Sequence, residues 1–283
     1  MDQTQISTPD PYARSFQMDA GTLDVMATRL EARGKHPFFQ RAIGDYMSEL
    51  ALDRSARLLD LGCGTGVAAR AIARRPEIGV PIIALDISPH LVEAGRRFAE
   101  IEGLAELIDF RVGDAHTLQL PDGGFDVVVM HTLLSHVADP ALVLAEGRRL
   151  LRPDGRMVVF DGDYASLTIG TDAPDGGDET DRLIQRTLIA NHRVMRAMPR
   201  LMQQGGLALA WSRGYLVSDI GRMDFWAAML ASLRVLMPKA GVLADAEANA
   251  FVDAMERASA AGRFFGACNF YTFIARRDRS RAG

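Results

Sequence analysis

Residues 58–66 of this 283-residue chain read Leu-Leu-Asp-Leu-Gly-Cys-Gly-Thr-Gly, and they constrain its chemistry more tightly than any other stretch. Leu58 and Leu59 end a short apolar strand with Asp60 at its tip. Gly62, Gly64 and Gly66 then alternate through a tight turn around Cys63, and Val67 opens a helix that Pro76 stops. Glycine suits such a turn because it tolerates unusual φ/ψ angles and puts no side chain between backbone and ligand. A strand, a glycine turn and a helix N-terminus in that order form the place where open α/β sheets bind nucleotide-like cofactors. A dinucleotide fingerprint spaces its glycines G-x-G-x-x-G. Here the third glycine comes one residue early, at Gly66, and Val67 stands where the fingerprint needs glycine. The acid ahead of the turn, Asp60, repels a pyrophosphate and suits a cationic ligand.

Two later acids agree with a cofactor site. Val80-Pro-Ile-Ile-Ala-Leu-Asp86 is a near-continuous apolar run, as a strand buried on both faces requires. Ser88-Pro89 then starts a helix by a cap followed by proline. An acid such as Asp86 at the end of the second strand accepts the ribose hydroxyls of an adenosine, a device that dinucleotide enzymes share. A third run, Ile108-Asp-Phe-Arg-Val-Gly-Asp114-Ala115, ends the same way. Each acid alone reads as a helix cap or a solvated loop. Three acids at three successive strand ends, in βαβαβ order, read as one site.

The run Asp60-Leu-Gly-Cys-Gly-Thr-Gly66 resembles motif I of the class I S-adenosylmethionine (SAM) methyltransferases. Leu133-Leu-Ser-His-Val-Ala-Asp-Pro140 and Arg149-Leu-Leu-Arg-Pro-Asp-Gly155 are similar to the ubiquinone/menaquinone-type small-molecule branch. The resemblance implies an α/β fold, a Rossmann-like sheet of seven mostly parallel strands with the last antiparallel. It also implies SAM as methyl donor and S-adenosylhomocysteine (SAH) as product. The cofactor shell then comprises Asp60, Gly62, Cys63, Gly64, Gly66, Asp86, Ile87, Asp114, Ala115, Met130 and His131. In such enzymes the acid at Asp114 accepts from the adenine amino group and the next backbone N–H meets a ring nitrogen. Cys63 itself reads as a small packing residue.

Three stretches must position this site. Residues 1–55 form a helical leader, with Leu23, Met26, Ala27 and Leu30 in helix period until Gly34, and Phe39, Ile43, Tyr46 and Leu50 after Pro37. Residues 56–163 hold five strands near 57–61, 81–86, 107–112, 125–130 and 156–161, with helices near 66–75, 89–102 and 140–151. Residues 164–283 complete the sheet with strands near 210–218 and 269–275. A helical cap at about 222–262 lies between those two and lines the substrate pocket. Gly170–Thr180, rich in glycine, reads as a long loop of the kind that forms lids.

Candidate catalytic groups follow the strand ends. His131 lies after strand four and reads either as pocket lining or as a general base. Asp161 and Asp163, with Tyr164, leave strand five beside the expected transfer point and form a polar wall that includes a candidate base. His136 reads as a helix-start hydrogen bond, and His192 with Arg196 as a solvated helix face. Arg29 and Arg33 share one face of the leader helix. Either that helix folds over the cofactor and brings Arg29 to its carboxylate, or the two are an exposed charge pair.

Absent motifs narrow the reaction. Val129-Met-His-Thr132 stands where amine-methylating DNA and protein-glutamine enzymes carry Asn/Asp-Pro-Pro-Tyr/Phe. Neither Cys63 nor Cys268 follows a proline, and two cysteines suffice for neither a metal cluster nor a disulfide framework. The net charge of −4 offers no basic field for nucleic acid. No apolar stretch is long enough to span a membrane, and the first ten residues lack a signal-sequence pattern, which leads us to expect a cytoplasmic protein. The expected activity is metal-free, in-line methyl transfer to O, N or C of a small, flat or apolar molecule, with the oligomeric state open. The alternatives are an NAD-linked oxidoreductase and a SAM-binding protein that transfers nothing.

Overall fold

Side-chain alternation along the central strands divides the core into two layers. The computed structural model describes residues 10–278; the first nine residues of the expected leader, and most of the stretch read for a signal sequence, lie outside the described residues. The strands are β1 (Leu58–Leu61), β2 (Ile82–Asp86), β3 (Ile108–Val112), β4 (Phe125–His131), β5 (Leu151–Ile169), β6 (Leu207–Gly221) and β7 (Phe264–Arg277). They form one sheet in the order β3-β2-β1-β4-β5-β7-β6. Only β7 runs antiparallel, between β5 and β6. Strand order reverses between β1 and β4, so the ligand crevice of such a sheet opens at the carboxyl ends of those two strands.

The helices are α1 (Ala20–Lys35), α2 (Pro37–Leu50), α3 (Val67–Ala73), α4 (Pro89–Ile101), α5 (Pro140–Leu150), α6 (Asp178–Thr187), α7 (Val194–Gln204), α8 (Ala227–Lys239) and α9 (Asp245–Ala260). Leu58, Ala84, Val129, Val158 and Phe160 pack on α2, α3 and α8. Leu59, Leu61, Leu85, Met130 and Val159 take the opposite face, against α5 and α7. Helix starts follow local chemistry. Ser88 accepts from the Leu91 N–H ahead of α4, and Asp139 accepts from the Ala141 and Leu142 N–H groups ahead of α5. Both helices carry proline at their first position.

The tail departs from its expected outline in two places. A boundary at residue 163 falls inside β5, which runs on to Ile169, so the tail shares the sheet of the core. The expected loop at 170–180 is shorter, because Asp178 already starts α6. Asp175 pins that turn by accepting from the Gly177 and Glu179 N–H groups.

The leader docks directly on the glycine turn. Buried Glu31 of α1 accepts from Thr65 Oγ1 at 2.6 Å and from Arg70 of α3 at 2.5 Å. Gly34 permits this approach: a Cβ there would lie 1.9 Å from Val67 Cγ1 and 2.9 Å from Val67 Cβ. Glycine to alanine inside a helix normally gains up to about 1 kcal/mol. At Gly34 we expect the reverse, a loss of about 1–3 kcal/mol from overpacking. Thermal melts of Gly34→Ala check this, and an unchanged or raised Tm would mean that α1 does not pack on α3 in solution.

Candidate functional site

The glycine turn is built from positive-φ backbone and is closed on itself. Gly62, Gly64 and Gly66 have φ of 74°, 55° and 75°. Their reasons for being glycine differ. A Cβ at Gly66 would meet the Phe110 ring at 2.5 Å, and one at Gly62 would meet Leu133 Cδ1 at 2.4 Å. The Gly62 and Cys63 N–H groups both donate to Leu85 O at 2.8 Å, Gly64 N–H donates to Asp86 Oδ2 at 2.7 Å, and Gly66 N–H donates to Cys63 O at 2.8 Å. With those four donors taken, the turn offers little to a pyrophosphate, whose cradle needs convergent free N–H groups.

Asp60 is the open group at this turn. It is fully buried at the tip of β1, and Oδ2 accepts from Ala69 N–H at 3.2 Å. Its other oxygen, Oδ1, has no hydrogen-bond partner among the described residues. Burial pushes its pKa up to about 7, and the nearby Asp86 charge adds to the rise. An orphaned, desolvated carboxylate of this kind is a cost that a cationic ligand removes. That fits the ammonium and sulfonium of SAM and does not fit a phosphate.

Asp86 ties the turn to the next helix, with Oδ2 on Gly64 N–H and Oδ1 on Ser88 N–H at 2.9 Å. Burial raises its pKa as well, against those same bonds. Ile87 follows it, half-buried. Asp114 is more open: Oδ1 accepts from His116 N–H at 2.9 Å and from His116 Nδ1 at 2.7 Å, and this contact holds its pKa down. His116 Nε2 in turn accepts from Asp139 N–H at 3.3 Å, so the ring links the Asp114 loop to the start of α5. Ala115 is buried between them. Sequence reading did not single out His116.

Two of the expected cofactor residues contribute differently from each other. Met130 points to the α5 face, where a Cβ on Gly147 would touch its Cε at 2.5 Å, so it reaches the crevice through backbone alone. Cys63 is a half-buried free thiol whose pKa burial raises, which makes it packing and no nucleophile.

The structure gives His131, Asp161 and Asp163, the three expected catalytic residues, different surroundings. His131 is buried, stacked on Phe160 at 4.5 Å between ring centroids, with Tyr46 Oη 3.4 Å from Nδ1. Burial, and then the Arg33 charge, lower its pKa to about 3. A ring so reluctant to protonate is a wall and a poor base. Asp161 is fully buried and saturated: Oδ2 accepts from Ser135 N–H, and Oδ1 from Ser135 Oγ and Gly162 N–H. Asp163 is buried with both oxygens 2.9 Å from Arg196 Nε. Arg196 therefore has a partner in place of the solvated face expected for it, and His192 precedes α7 and is not one helical turn from it on the same helix. Both aspartates hold structure together, and neither presents a free oxygen.

Arg29 and Arg33 do come to the crevice. Arg33 donates to Thr132 Oγ1 at 2.9 Å and lies over the Phe39 ring at 5.0 Å. Thr132 has φ of 58°, unusual for a β-branched residue, and its N–H donates to Phe160 O at 2.6 Å. The tip of β4 is thus bent toward the leader helix. Arg29 lies over the Tyr12 ring at 5.2 Å. Neither arginine makes an ion pair with a carboxylate among the described residues. Together with Tyr164, Phe225, Trp226, Met229 and Phe270 they line one cleft. Trp226 Nε1 is buried there with no hydrogen-bond partner among the described residues.

Several groups meet only through long chain separations. Asp10 from the N-terminal segment accepts from His136 Nδ1 at 2.7 Å, 126 residues away in sequence. No local spacing signals that contact.

Comparison with known proteins is consistent with this geometry. Residues 59–159 match the methyltransferase-domain family model. An uncharacterized 37.1 kDa protein in transposon Tn4556 of Streptomyces fradiae is 34% identical over 187 residues, 66% of this chain and 51% of that one. A ubiquinone/menaquinone biosynthesis C-methyltransferase of Dinoroseobacter shibae is 35% identical over 147 residues, 52% of this chain and 56% of that one. The chain spans about half the length of these curated relatives. Among solved structures, the [4+2]-cyclase SpnF shares the fold with a TM-score of 0.57 at 23% identity, covering 84% of this chain and 80% of that one.

Proposed function

The chain carries a class I SAM-dependent methyltransferase domain, and on that premise we propose that the whole protein moves a methyl group from SAM to a small, flat or apolar acceptor. The observation that carries this reading is the pairing of two features, one at the tip of β1 and one between α1, α8 and strands β5 and β7. One is the desolvated Asp60 carboxylate with an oxygen left open at the glycine turn. The other is an aromatic cleft roofed by α1 and α8.

SAM supplies an already activated sulfonium methyl. What the chain adds is position and a dry environment. Asp60 takes the cationic end of the cofactor, Asp86 the ribose and Asp114 the adenine amino group, with Gly62, Cys63, Gly64, Gly66, Ile87, Ala115 and the Met130 backbone shaping the bed. His131 forms its wall. The turn N–H groups are taken, so the cofactor carboxylate needs a cation, and the Arg29–Arg33 face of α1 supplies it. Phe225, Trp226 and Phe270 face the acceptor and favour a planar or apolar one. The reading includes a cytoplasmic location and no nucleic-acid partner, which the net charge of −4 supports. Among the described residues no helix is long and apolar enough to cross a membrane.

Calorimetric titration with SAH, followed by SAH release assays over a pool of planar acceptors, tests the proposal. Tight SAH binding with acceptor-dependent release is the expected result. Binding of NADH with no binding of SAH would overturn it. One observation favours a second reading, cofactor binding without methyl transfer: a [4+2]-cyclase shares the fold. That reading predicts normal SAH affinity and product formation with no SAH released.

A further inference from the structure

We propose that the acceptor carries a carboxylate on its apolar body, and that Arg33 and the Trp226 indole N–H bind that carboxylate in the aromatic cleft. This rests on the methyltransferase reading and names the chemical class of acceptor that the reading leaves open. The cleft wall holds the guanidiniums of Arg29 and Arg33, the Tyr164 phenol, the Trp226 indole and apolar side chains. Among the described residues no carboxylate lines it. An acceptor with no charge would leave that wall electrically unbalanced.

Arg33 is fixed on the aromatic side of the pair. It donates to Thr132 Oγ1 at 2.9 Å and lies 5.0 Å over the Phe39 ring. Phe39 in turn stacks on Phe225 of the cleft at 5.9 Å between centroids. Thr132 holds its end of the bond at a φ of 58°, a conformation that a β-branched residue keeps only when its surroundings impose it. A hydroxyl is a neutral partner, and it occupies one donor of a group that has five. Burial pulls the Arg33 pKa down, and the Arg29 charge adds to the fall. The Asp161 carboxylate opposes this from nearby, but Ser135 and Gly162 have already taken its oxygens. An arginine stays protonated all the same, so its charge is a standing cost that a bound anion removes.

Trp226 presents the second donor. It is buried, and its Nε1 has no hydrogen-bond partner among the described residues. Its backbone N–H donates to Asp219 Oδ2 at 3.1 Å, which fixes the ring at the start of α8. An indole N–H can only donate, so an acceptor atom must come from the ligand. A charge count then selects the anion. The cofactor brings one carboxylate, and Arg29, which lies over Tyr12 outside the cleft lining, takes it. One positive charge remains. It matches a carboxylate, which a guanidinium grips with two parallel N–H bonds, and leaves the second charge of a phosphate monoester unmatched. With its acid held there, the acceptor lays its apolar body on Phe225 and Phe270.

The test uses the full chain saturated with SAH and reads by calorimetry the binding of naphthoate, naphthamide and naphthyl phosphate. Wild type should bind naphthoate about 10- to 100-fold more tightly than the amide, the worth of a charge-assisted hydrogen bond, and no less tightly than the phosphate. Arg33→Gln should abolish that preference, and Arg33→Lys, which keeps the charge and loses the fork, should retain part of it. Trp226→Phe keeps an aromatic ring and should lower the preference by about 3- to 10-fold. Arg29→Gln should weaken SAH and keep the preference once SAH is again saturating. Equal wild-type affinity for naphthoate and amide, or no binding of either, overturns the proposal whether or not any variant folds. A preference that survives Arg33→Gln, or that Arg29→Gln alone removes, overturns the assignment of Arg33. Tighter binding of the phosphate overturns the carboxylate. Failure of the wild type to bind SAH would instead count against the methyltransferase reading.

Discussion

Replacing Asp60 with Asn is expected to weaken SAH binding at pH 8 by about 10- to 100-fold, roughly the 1.5–3 kcal/mol of a hydrogen bond to a charged group. It should also remove a pH dependence that the wild type shows. Burial first, and the Asp86 charge second, hold the Asp60 pKa at about 7 in the folded chain, against 3.8 for the ordinary group. An acid with a raised folded pKa makes the folded state bind more protons than the unfolded one between those two values. Stability of the cofactor-free protein should therefore fall as pH rises from about 4 through 7 and then level off, by at most about 4 kcal/mol. Asp60→Asn flattens that slope, and chemical denaturation at pH 5, 6, 7 and 8 reads it.

The same group couples binding to proton release. A cationic amine beside Oδ1 favours the ionised carboxylate, so binding at pH 6.5 expels the proton that burial had kept. Calorimetry in buffers of different ionisation enthalpy counts it, with about three-quarters of a proton expected at that pH for the wild type and none for Asp60→Asn. Zero release from the wild type would mean that Asp60 does not meet the cofactor's cation.

Asp60 was legible in the sequence because strand, acid and glycine turn are contiguous. So were the helix starts at Ser88-Pro89 and Asp139-Pro140, where cap and proline act on neighbouring N–H groups. The alternation of Val129, Met130 and His131 carries the split between the two core layers, and with it the finding that Met130 faces away from the crevice. Groups whose roles depend on distant partners were not legible. Asp163 reads as a free acid at a strand end until Arg196, 33 residues later, closes on it. Asp161 reads as a base until Ser135 takes both its oxygens. His136 reads as a helix-start hydrogen bond until Asp10 is brought across 126 residues. The length of β5 was hidden for another reason: Ala165-Ser166 interrupts the apolar pattern, while antiparallel pairing resumes at Thr168 with Ala267 after a register shift.

The two aspartates of β5 belong together. Acids at the ends of parallel strands sit where a chain must cap turns, bind ligands or do both, and sequence cannot apportion them. The structure apportions them by whether an oxygen is left over. Asp60 keeps one; Asp161 and Asp163 keep none. Asp86 lies between these cases, since each oxygen already accepts one backbone N–H and a carboxylate can accept more than one bond per oxygen.

That intermediate position makes Asp86→Ala the most damaging cofactor-site substitution expected. It removes the bond that fixes Gly64 and the bond that opens α4, besides the ribose contact. SAH affinity should fall at least 100-fold, about 3 kcal/mol, with a lower Tm as the turn loosens. Asp114→Ala should cost only about 1 kcal/mol, because Asp114 is half-exposed and already engaged by His116. Adenosine separates these roles from that of Asp60. The Asp86 contact is to the nucleoside, so Asp86→Ala should weaken adenosine and SAH by similar factors. Asp60 meets the amino-acid end, so Asp60→Asn should weaken SAH and leave adenosine within about twofold. If Asp86→Ala spares adenosine while Asp60→Asn weakens it, the cofactor lies in the crevice in the opposite sense.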